Sequence, residues 1–211
     1  MPAVSVTTLN ETGAGRGIIR IGLSEGSLFS LNTSYLPPSF QEGGYFFPGK
    51  EISAEEDQAL RSAAGCYRAE QAALRLVARA EQTCAGLRHK LEQRGHRADH
   101  ANAAVSRLTE LGILDDRRFA ERWIRSRLYR GADSPLRLVK GLCRRGIDRN
   151  TAGEARKNAL DFDLETELLG RFIAKKYPQP ERGGRESRFL KALLKREGFS
   201  PPVVERYWDE H

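Results

Sequence analysis

The sequence has few of the features that mark secreted, membrane-spanning or disulfide-stabilised proteins. Its three cysteines, Cys66, Cys84 and Cys143, are odd in number and widely spaced, which makes a poor disulfide framework and fits a reducing compartment. No apolar run approaches the roughly 18 residues of a membrane span. The first residues, MPAVSVTTLNE, lack the basic and apolar regions of a secretory signal. These absences favour a cytoplasmic protein with no membrane partner.

Catalytic motifs are equally scarce. The basic part of the chain has one adjacent acidic pair, Asp115-Asp116, directly before an apolar helical run, where carboxylates cap a helix and oppose its dipole. The enzymatic alternative is a metal-dependent nuclease acting through these two carboxylates. The glycine-rich segment GAGRG at 13–17 lacks the Lys-Ser/Thr of a phosphate loop and precedes a strand-like run, so we predict a hairpin turn there.

A zinc site is the remaining chemical option. His89, His96 and His100 lie near Cys84, but the sequence has no C-x₂-C pair of the kind that structural zinc sites usually contain. We therefore predict a protein that is not an enzyme and that needs no metal or other cofactor.

Positive charge is abundant, and it is unevenly distributed. Residues 1–60 carry 3 basic and 7 acidic side chains, residues 61–160 carry 22 and 11, and residues 161–211 carry 10 of each. Most of the central excess is arginine, whose guanidinium group suits phosphates and carboxylates. Such a concentration indicates a nucleic acid or acidic protein partner, although a solvated helical face is the simpler alternative.

The first fifty residues predict a small antiparallel sheet of three strands. Val4 and Val6 alternate with polar neighbours, and two further β-rich runs follow at 18–23 and 28–31. Glu25-Gly26 between these runs has hairpin-turn chemistry. From Ser53 onward the apolar period is helical, and Ser53 with Glu56 predicts a capping box.

A repeat organises the rest of the chain. The segments beginning at Leu87, Leu138 and Leu190 each have leucine at their first and fifth positions and glycine four residues after the second leucine. The leucine pair predicts a core stripe, and the glycine a left-handed residue that ends the helix. A longer helix precedes each segment, at about 66–80, 116–130 and 163–177, and a short one follows, at about 99–111, 150–160 and 201–209.

We therefore predict a mainly α fold of three tandem three-helix repeats. The expected divisions are a β-rich N-terminal extension (1–52), a linking helix (53–65) that Gly65 interrupts, and repeats at 66–112, 113–160 and 161–211. Asp99, Asn150 and Ser200 are the expected N-caps of the third helices, and Ser134 with Pro135 opens the middle segment of the second repeat. Because units of about 45 residues bury little core alone, we expect them to stack into an elongated, curved array.

The candidate binding surface consists of basic residues on the first two repeats. Trp123 lies on the core stripe of its helix, whereas Tyr129 is freer to meet a partner. The candidate contact residues are Arg75, Arg79, Arg88, Lys90, Arg94, Arg118, Arg122, Arg125, Arg127, Arg130, Arg137, Lys140, Arg144 and Arg145.

The segments ALRLVARAEQTCAGLRHKLEQRGH (73–96) and LTELGILDDRRFAERWIRSRL (108–128) resemble the RecX family of bacterial recombination regulators. The resemblance extends over about residues 60–210 and is most specific at LGILDDRRFAERWIRSR. The third repeat departs from the family pattern, because Arg196-Glu197-Gly198 replaces a basic pair before glycine. We therefore expect the third repeat not to share the basic contact face.

The resemblance implies a non-enzymatic monomer that binds the RecA–DNA filament and restrains the ATPase, strand-exchange and coprotease activities of RecA recombinase. It also implies weak DNA contact without sequence preference. The alternative is a helix-turn-helix type of DNA-binding module that acts on duplex or single-stranded DNA without RecA.

Overall fold

The computed structural model describes residues 4–12, 17–41, 45–177 and 184–210, and in this part of the chain nine helices follow a small sheet. The chain forms two compact units, Met1–Leu114 (the N-terminal unit) and Asp115–His211 (the C-terminal unit). The predicted mainly α fold is confirmed. Stacking of the repeats into a curved array stays a prediction.

The sheet of the N-terminal unit has four strands, one more than predicted. Strands β1 (Val4–Thr12), β2 (Ile18–Leu23), β3 (Leu28–Asn32) and β4 (Glu51–Ile52) run antiparallel in the order β3-β2-β1-β4. The hairpin between β2 and β3 turns at Gly26, whose φ of 91° suits glycine. Strand β4 is only two residues long, too short for a period to reveal it. The turn predicted at 13–17 falls mostly outside the described residues.

Helix α1 (Ala54–Arg79) is continuous, so the predicted interruption at Gly65 is wrong. The capping box is confirmed, since Ser53 and Glu56 exchange their side-chain and backbone hydrogen bonds. Gly65 keeps helical geometry inside α1 and lies under the ring of His100, where an added Cβ would be 2.1 Å from the ring carbon Cε1. The glycine therefore permits a close crossing of two helices rather than a break in one.

Helix α1 carries two apolar clusters in succession. Its first half, including Leu60 and Ala63, packs with the buried face of the sheet, where Ile21 and Leu31 are fully buried. Its second half packs with helices α2 (Cys84–Glu92) and α3 (Ala98–Glu110) to form the first three-helix bundle. One helix thus serves both the extension and the first repeat.

The C-terminal unit contains the other two repeats around one continuous apolar cluster. The second repeat consists of α4 (Asp116–Arg130), α5 (Pro135–Cys143) and α6 (Arg149–Ala159), and the third of α7 (Phe162–Lys176), α8 (Gly184–Arg196) and α9 (Pro201–Glu210). The cluster begins at Ala120 in α4 and extends to Val204 in α9. Because it includes all six helices, these repeats share a single core.

The repeat motif is confirmed in each bundle. The six motif leucines, which are Leu87, Leu91, Leu138, Leu142, Leu190 and Leu194, are all buried. The glycines that follow, Gly95, Gly146 and Gly198, have φ angles of 82°, 82° and 91°. This left-handed conformation ends each middle helix and turns the chain into the third one.

Two of the predicted N-caps, Asn150 and Asp99, are each wrong by two residues. Asp148, not Asn150, caps α6 by accepting from the backbone N–H groups of residues 150 and 151. Arg97 occupies the N-cap of α3 without a side-chain bond, so Asp99 lies within the first turn. The predicted caps at Asp115 and Ser134 are confirmed.

Candidate functional site

The predicted contact residues lie on the surface of both units. Thirteen of the fourteen have exposed side chains, and the side chain of Arg130 falls outside the described part of the structure. Exposed charged residues are also common on surfaces that bind nothing. A binding site is therefore indicated only where these residues lie together on one side of a helix.

Helix α4 carries an exposed stripe of three arginines and a tyrosine. Arg118, Arg122, Arg125 and Tyr129 are spaced by four, three and four residues, which places them on one side of the helix. The core of the unit lies on the other side, where Ile124 is fully buried. Tyr129 is 89% exposed, as the sequence predicted, so its ring is available to a partner.

Helix α5 and its C-cap residue Arg144 present a second basic stripe, which we call the α5 stripe. Arg137, Lys140 and Arg144 are spaced by three and four residues and lie away from the buried Leu138 and Leu142. None of the three basic side chains has a hydrogen bond or ion pair with another described residue. Their charges are therefore free of local neutralisation.

Trp123 joins the two helices and brings two of the predicted arginines together. Its ring lies against Gly141 of α5, where an added Cβ would be 2.6 Å from the ring carbon Cη2. The guanidinium carbons of Arg127 and Arg145 lie 5.2 and 4.8 Å from the ring centroid, a cation–π distance. Arg145 also donates to the carbonyl oxygen of Gly141 at 2.8 Å. Trp123 is thus half-buried at the edge of the core, and the exposed part of its ring lies among the basic residues.

In the N-terminal unit the predicted residues are more dispersed. Arg75 and Arg79 lie on α1, and Arg88 on α2, while Arg94 follows the end of α2. Lys90 donates to the side-chain oxygen of Gln82 at 2.6 Å and is the one member of this set held by a described partner.

Two basic residues in this unit were missed from the sequence. Arg68 and His96 line a groove together with Arg75, although His96 lies more than twenty residues from either arginine in the chain. The spacing of seven between Arg68 and Arg75 could have indicated a shared helix face. The approach of His96 depends on the packing of the whole bundle and has no local signal.

Several charged side chains of the third repeat have partners within the C-terminal unit, and whether this repeat shares the contact face stays a prediction. The Glu197 side chain accepts a hydrogen bond from the hydroxyl of Ser134, and its carbonyl oxygen accepts from the backbone N–H of Leu136 at 2.9 Å. Lys191 and Lys195 both pair with Glu205, at 2.6 and 3.0 Å. The Glu197 contacts link the third repeat to the second, and the two lysine pairs within the third repeat neutralise part of its positive charge.

Metal and membrane sites gain no support from the geometry. Asp115 accepts from the backbone N–H of Arg118 at 2.9 Å, which is the predicted capping role. Within the described residues, no group of three or more histidine, cysteine or acidic side chains could hold a metal ion. In the same part of the chain, no helix combines the length and apolar character needed to cross a bilayer.

Comparisons with known proteins agree with the fold and with the repeats. The family model described as "RecX, first three-helix domain" matches residues 69–108, and "RecX, second three-helix domain" matches residues 115–155. The regulatory protein RecX of Trichlorobacter lovleyi is 32% identical over 149 residues, which cover 69% of this chain and 94% of that relative. The regulatory protein RecX of Mycobacterium ulcerans is 34% identical over 177 residues, covering 82% of this chain and 90% of the relative.

The architecture also matches a solved structure. A crystal structure of a regulatory protein RecX superimposes with a TM-score of 0.67 at 20% identity and covers 98% of this chain and 99% of the other. At that identity the match supports the fold, including the N-terminal extension, and not the roles of individual side chains.

Proposed function

This chain belongs to the RecX family of regulatory proteins, and we propose that it binds the RecA–DNA filament and restrains RecA activity without catalysing a reaction. The proposal places the protein in the cytoplasm and has it act as a monomer. Its contact with DNA is through phosphates and therefore without sequence preference.

One observation carries the proposal beyond family membership. Two exposed basic stripes, on α4 and α5, belong to the same bundle and contain Arg125, Arg137, Lys140 and Arg144, which have no hydrogen-bond or ion-pair partner among the described residues. Guanidinium groups bind phosphates and carboxylates bidentately, so this surface suits both the DNA and acidic patches of a protein filament. Its position on folded helices keeps the charges in a fixed pattern.

The test is a charge reversal on the two stripes. We choose Arg125→Glu, Lys140→Glu and Arg144→Glu in one variant, because none of the three replaced side chains supports the fold through a described contact. The control carries Lys157→Glu, Lys175→Glu and Arg188→Glu, three exposed residues of the same unit outside the stripes. Both variants change the net charge by the same amount.

The variants are assayed for inhibition of RecA ATPase and strand exchange, and separately for binding to single-stranded and duplex DNA. We expect the stripe variant to lose at least tenfold in inhibition, while the control stays within twofold of the parent. Each lost phosphate contact should also reduce the slope of log K against log salt by about 0.7 to 0.9. An unmodified protein that leaves RecA unaffected at stoichiometric ratios contradicts the proposal.

The same assay separates the alternative function. A helix-turn-helix reader would bind duplex DNA tightly and with sequence preference at physiological salt in the absence of RecA. Weak and salt-sensitive binding to any DNA, together with RecA inhibition, supports filament regulation instead.

A further inference from the structure

A groove lies between strand β3 and helix α1 in the N-terminal unit, with a volume of about 590 Å³. This volume is within the range of about 300–1,000 Å³ that small-molecule sites occupy. Strand β3 contributes Phe29 and Ser30, helix α1 contributes Tyr67, Arg68 and Arg75, and the turn between α2 and α3 contributes His96. The groove thus exists only because the extension packs on the first repeat.

The charged groups of this groove are all of one sign. Arg68, Arg75 and His96 line it, and none of its described lining residues is acidic. None of these three side chains has a hydrogen bond or ion pair with another described residue. An anion entering the groove therefore meets positive charge that no carboxylate neutralises.

The lowered pKa of His96 is consistent with this positive electrostatic potential in the groove. Burial lowers the pKa of its ring, and positive charges on neighbouring side chains lower it further, namely those of Arg68, His100, Arg94 and Arg75. A bound anion would offset this repulsion, so the ring would gain basicity when the groove is occupied.

The rest of the lining is aromatic and polar. Phe29 and Tyr67 supply rings, and the hydroxyl of Ser30 and the amide of Gln71 supply hydrogen-bonding groups. Arg61 lies over the ring of Phe29 at 5.3 Å, which limits the movement of that ring. Rings beside unpaired guanidinium groups are the combination with which proteins bind single nucleotides of a strand, by stacking on the base and by charge on the phosphate.

We propose that this groove is a nucleotide-binding site. The phosphate would be held by Arg68, Arg75 and His96, and the base would lie against Phe29 and Tyr67. A free nucleotide and a nucleotide within single-stranded DNA offer the same chemistry. An acidic peptide matches the charge but leaves the two rings without a counterpart.

This site goes beyond the proposed filament contact and can be tested without RecA. Titration calorimetry on the full chain at low salt uses four probes: ADP, a 5′-phosphorylated thymidine tetranucleotide, inorganic phosphate and hexaglutamate. The test variant carries Arg68→Gln and His96→Gln, neither of which belongs to the basic stripes. The control carries Arg20→Gln and His89→Gln, an exposed arginine and an exposed histidine of the same unit outside the groove.

We expect ADP or the tetranucleotide to bind, and the test variant to weaken that binding at least tenfold while the control stays within twofold. Removing the ring with Tyr67→Leu should weaken nucleotide binding about fivefold or more and leave phosphate binding unchanged. Circular dichroism checks that each variant is folded. The ratio of the ADP and tetranucleotide affinities identifies the source of the ligand.

Three results would overturn the proposal. These are no binding of either nucleotide probe below millimolar concentration, an equal loss of affinity in test and control variants, and tighter binding of hexaglutamate than of both nucleotides. A second measurement follows the His96 ring by nuclear magnetic resonance, where nucleotide addition should raise its pKa. RecA inhibition is scored apart, so failure of this site leaves the filament proposal standing.

Discussion

The two compact units complete the same three-helix pattern in different ways. In the N-terminal unit, the first repeat keeps its own apolar cluster on the second half of the shared helix α1, and a separate cluster beneath the sheet lies on the first half of that helix. In the C-terminal unit, two repeats merge into one cluster, from Ala120 to Val204. A bundle of about 45 residues buries too little surface to stand alone. The second and third repeats therefore share one core, whereas the first repeat shares with the sheet only the long helix α1, along which the two separate cores lie.

The largest expected effect comes from Leu142→Ala, which tests whether the C-terminal core is truly continuous. Leu142 is fully buried, so truncation should lower the free energy of unfolding by about 3 kcal/mol. Both tryptophans, Trp123 and Trp208, lie in this unit, one in each repeat. Trp123→Phe and Trp208→Phe backgrounds therefore leave one fluorescent reporter per repeat. In a shared core both reporters shift together, and a shift of only the Trp123 reporter would show that the repeats unfold separately.

Gly65→Ala tests the helix crossing that is peculiar to the N-terminal unit. The added methyl group meets the ring of His100, and we expect a loss of about 2 kcal/mol. Gly153→Ala is the matched control, because nothing lies within 4 Å of the added Cβ in α6, and alanine should stabilise that helix by up to about 1 kcal/mol. Circular dichroism should report the Gly65 effect while tryptophan fluorescence, confined to the other unit, stays unchanged. The crossing is refuted if Gly65→Ala is as well tolerated as Gly153→Ala.

Ser134→Ala tests the polar link between the second and third repeats. The change removes a helix cap and also the hydrogen bond to Glu197, so we expect a loss of about 1.5 kcal/mol in thermal or urea unfolding. Ser126→Ala, on the exposed side of α4, should be neutral. Equal stabilities of the two variants would mean that the link contributes nothing.

Glu56→Gln should have the smallest effect on stability, and it tests whether an ionised carboxylate stabilises the start of α1 in the N-terminal unit. Burial acts to raise the pKa of Glu56, but bonds from Lys50, the Ser53 N–H and Tyr45 outweigh it and lower the pKa to about 2. Since the folded pKa is depressed, the stabilisation is present above about pH 4.5 and is lost as the pH falls toward 2. We expect a loss of about 1 kcal/mol at neutral pH, with a flatter acid limb in dichroism. An unchanged acid limb contradicts this role.

Local sequence signals predicted the helices closely. The second repeat's first helix was expected at 116–130 and is Asp116–Arg130, and the leucine pairs and glycines of all three repeats behave as predicted. Such features depend on residues three or four apart, whose contacts a helix fixes by itself. The exposed stripes on α4 and α5 follow from the same periodicity.

The features that sequence reasoning missed depend on residues distant in the chain. From the sequence alone Gly65 was predicted to break a helix, but in the structure it allows the ring of His100 to approach α1. Glu197 was noted only as a departure from the family pattern, but it accepts a hydrogen bond from Ser134, 63 residues away in the chain. His96 joins Arg68 in the groove only through the packing of the bundle. Tertiary packing decides these roles, and it overrides local propensity where the two disagree.

Because α1 is one continuous helix, it limits where the chain can be truncated or recombined with another. The helix is 26 residues long, about 39 Å, and its first half is covered by the sheet. A cut before Ala54 would strip the cover from Leu60 and Ala63 and leave an apolar face open to aggregation. The extension and the first repeat are therefore a single module, to be inherited, truncated or recombined together.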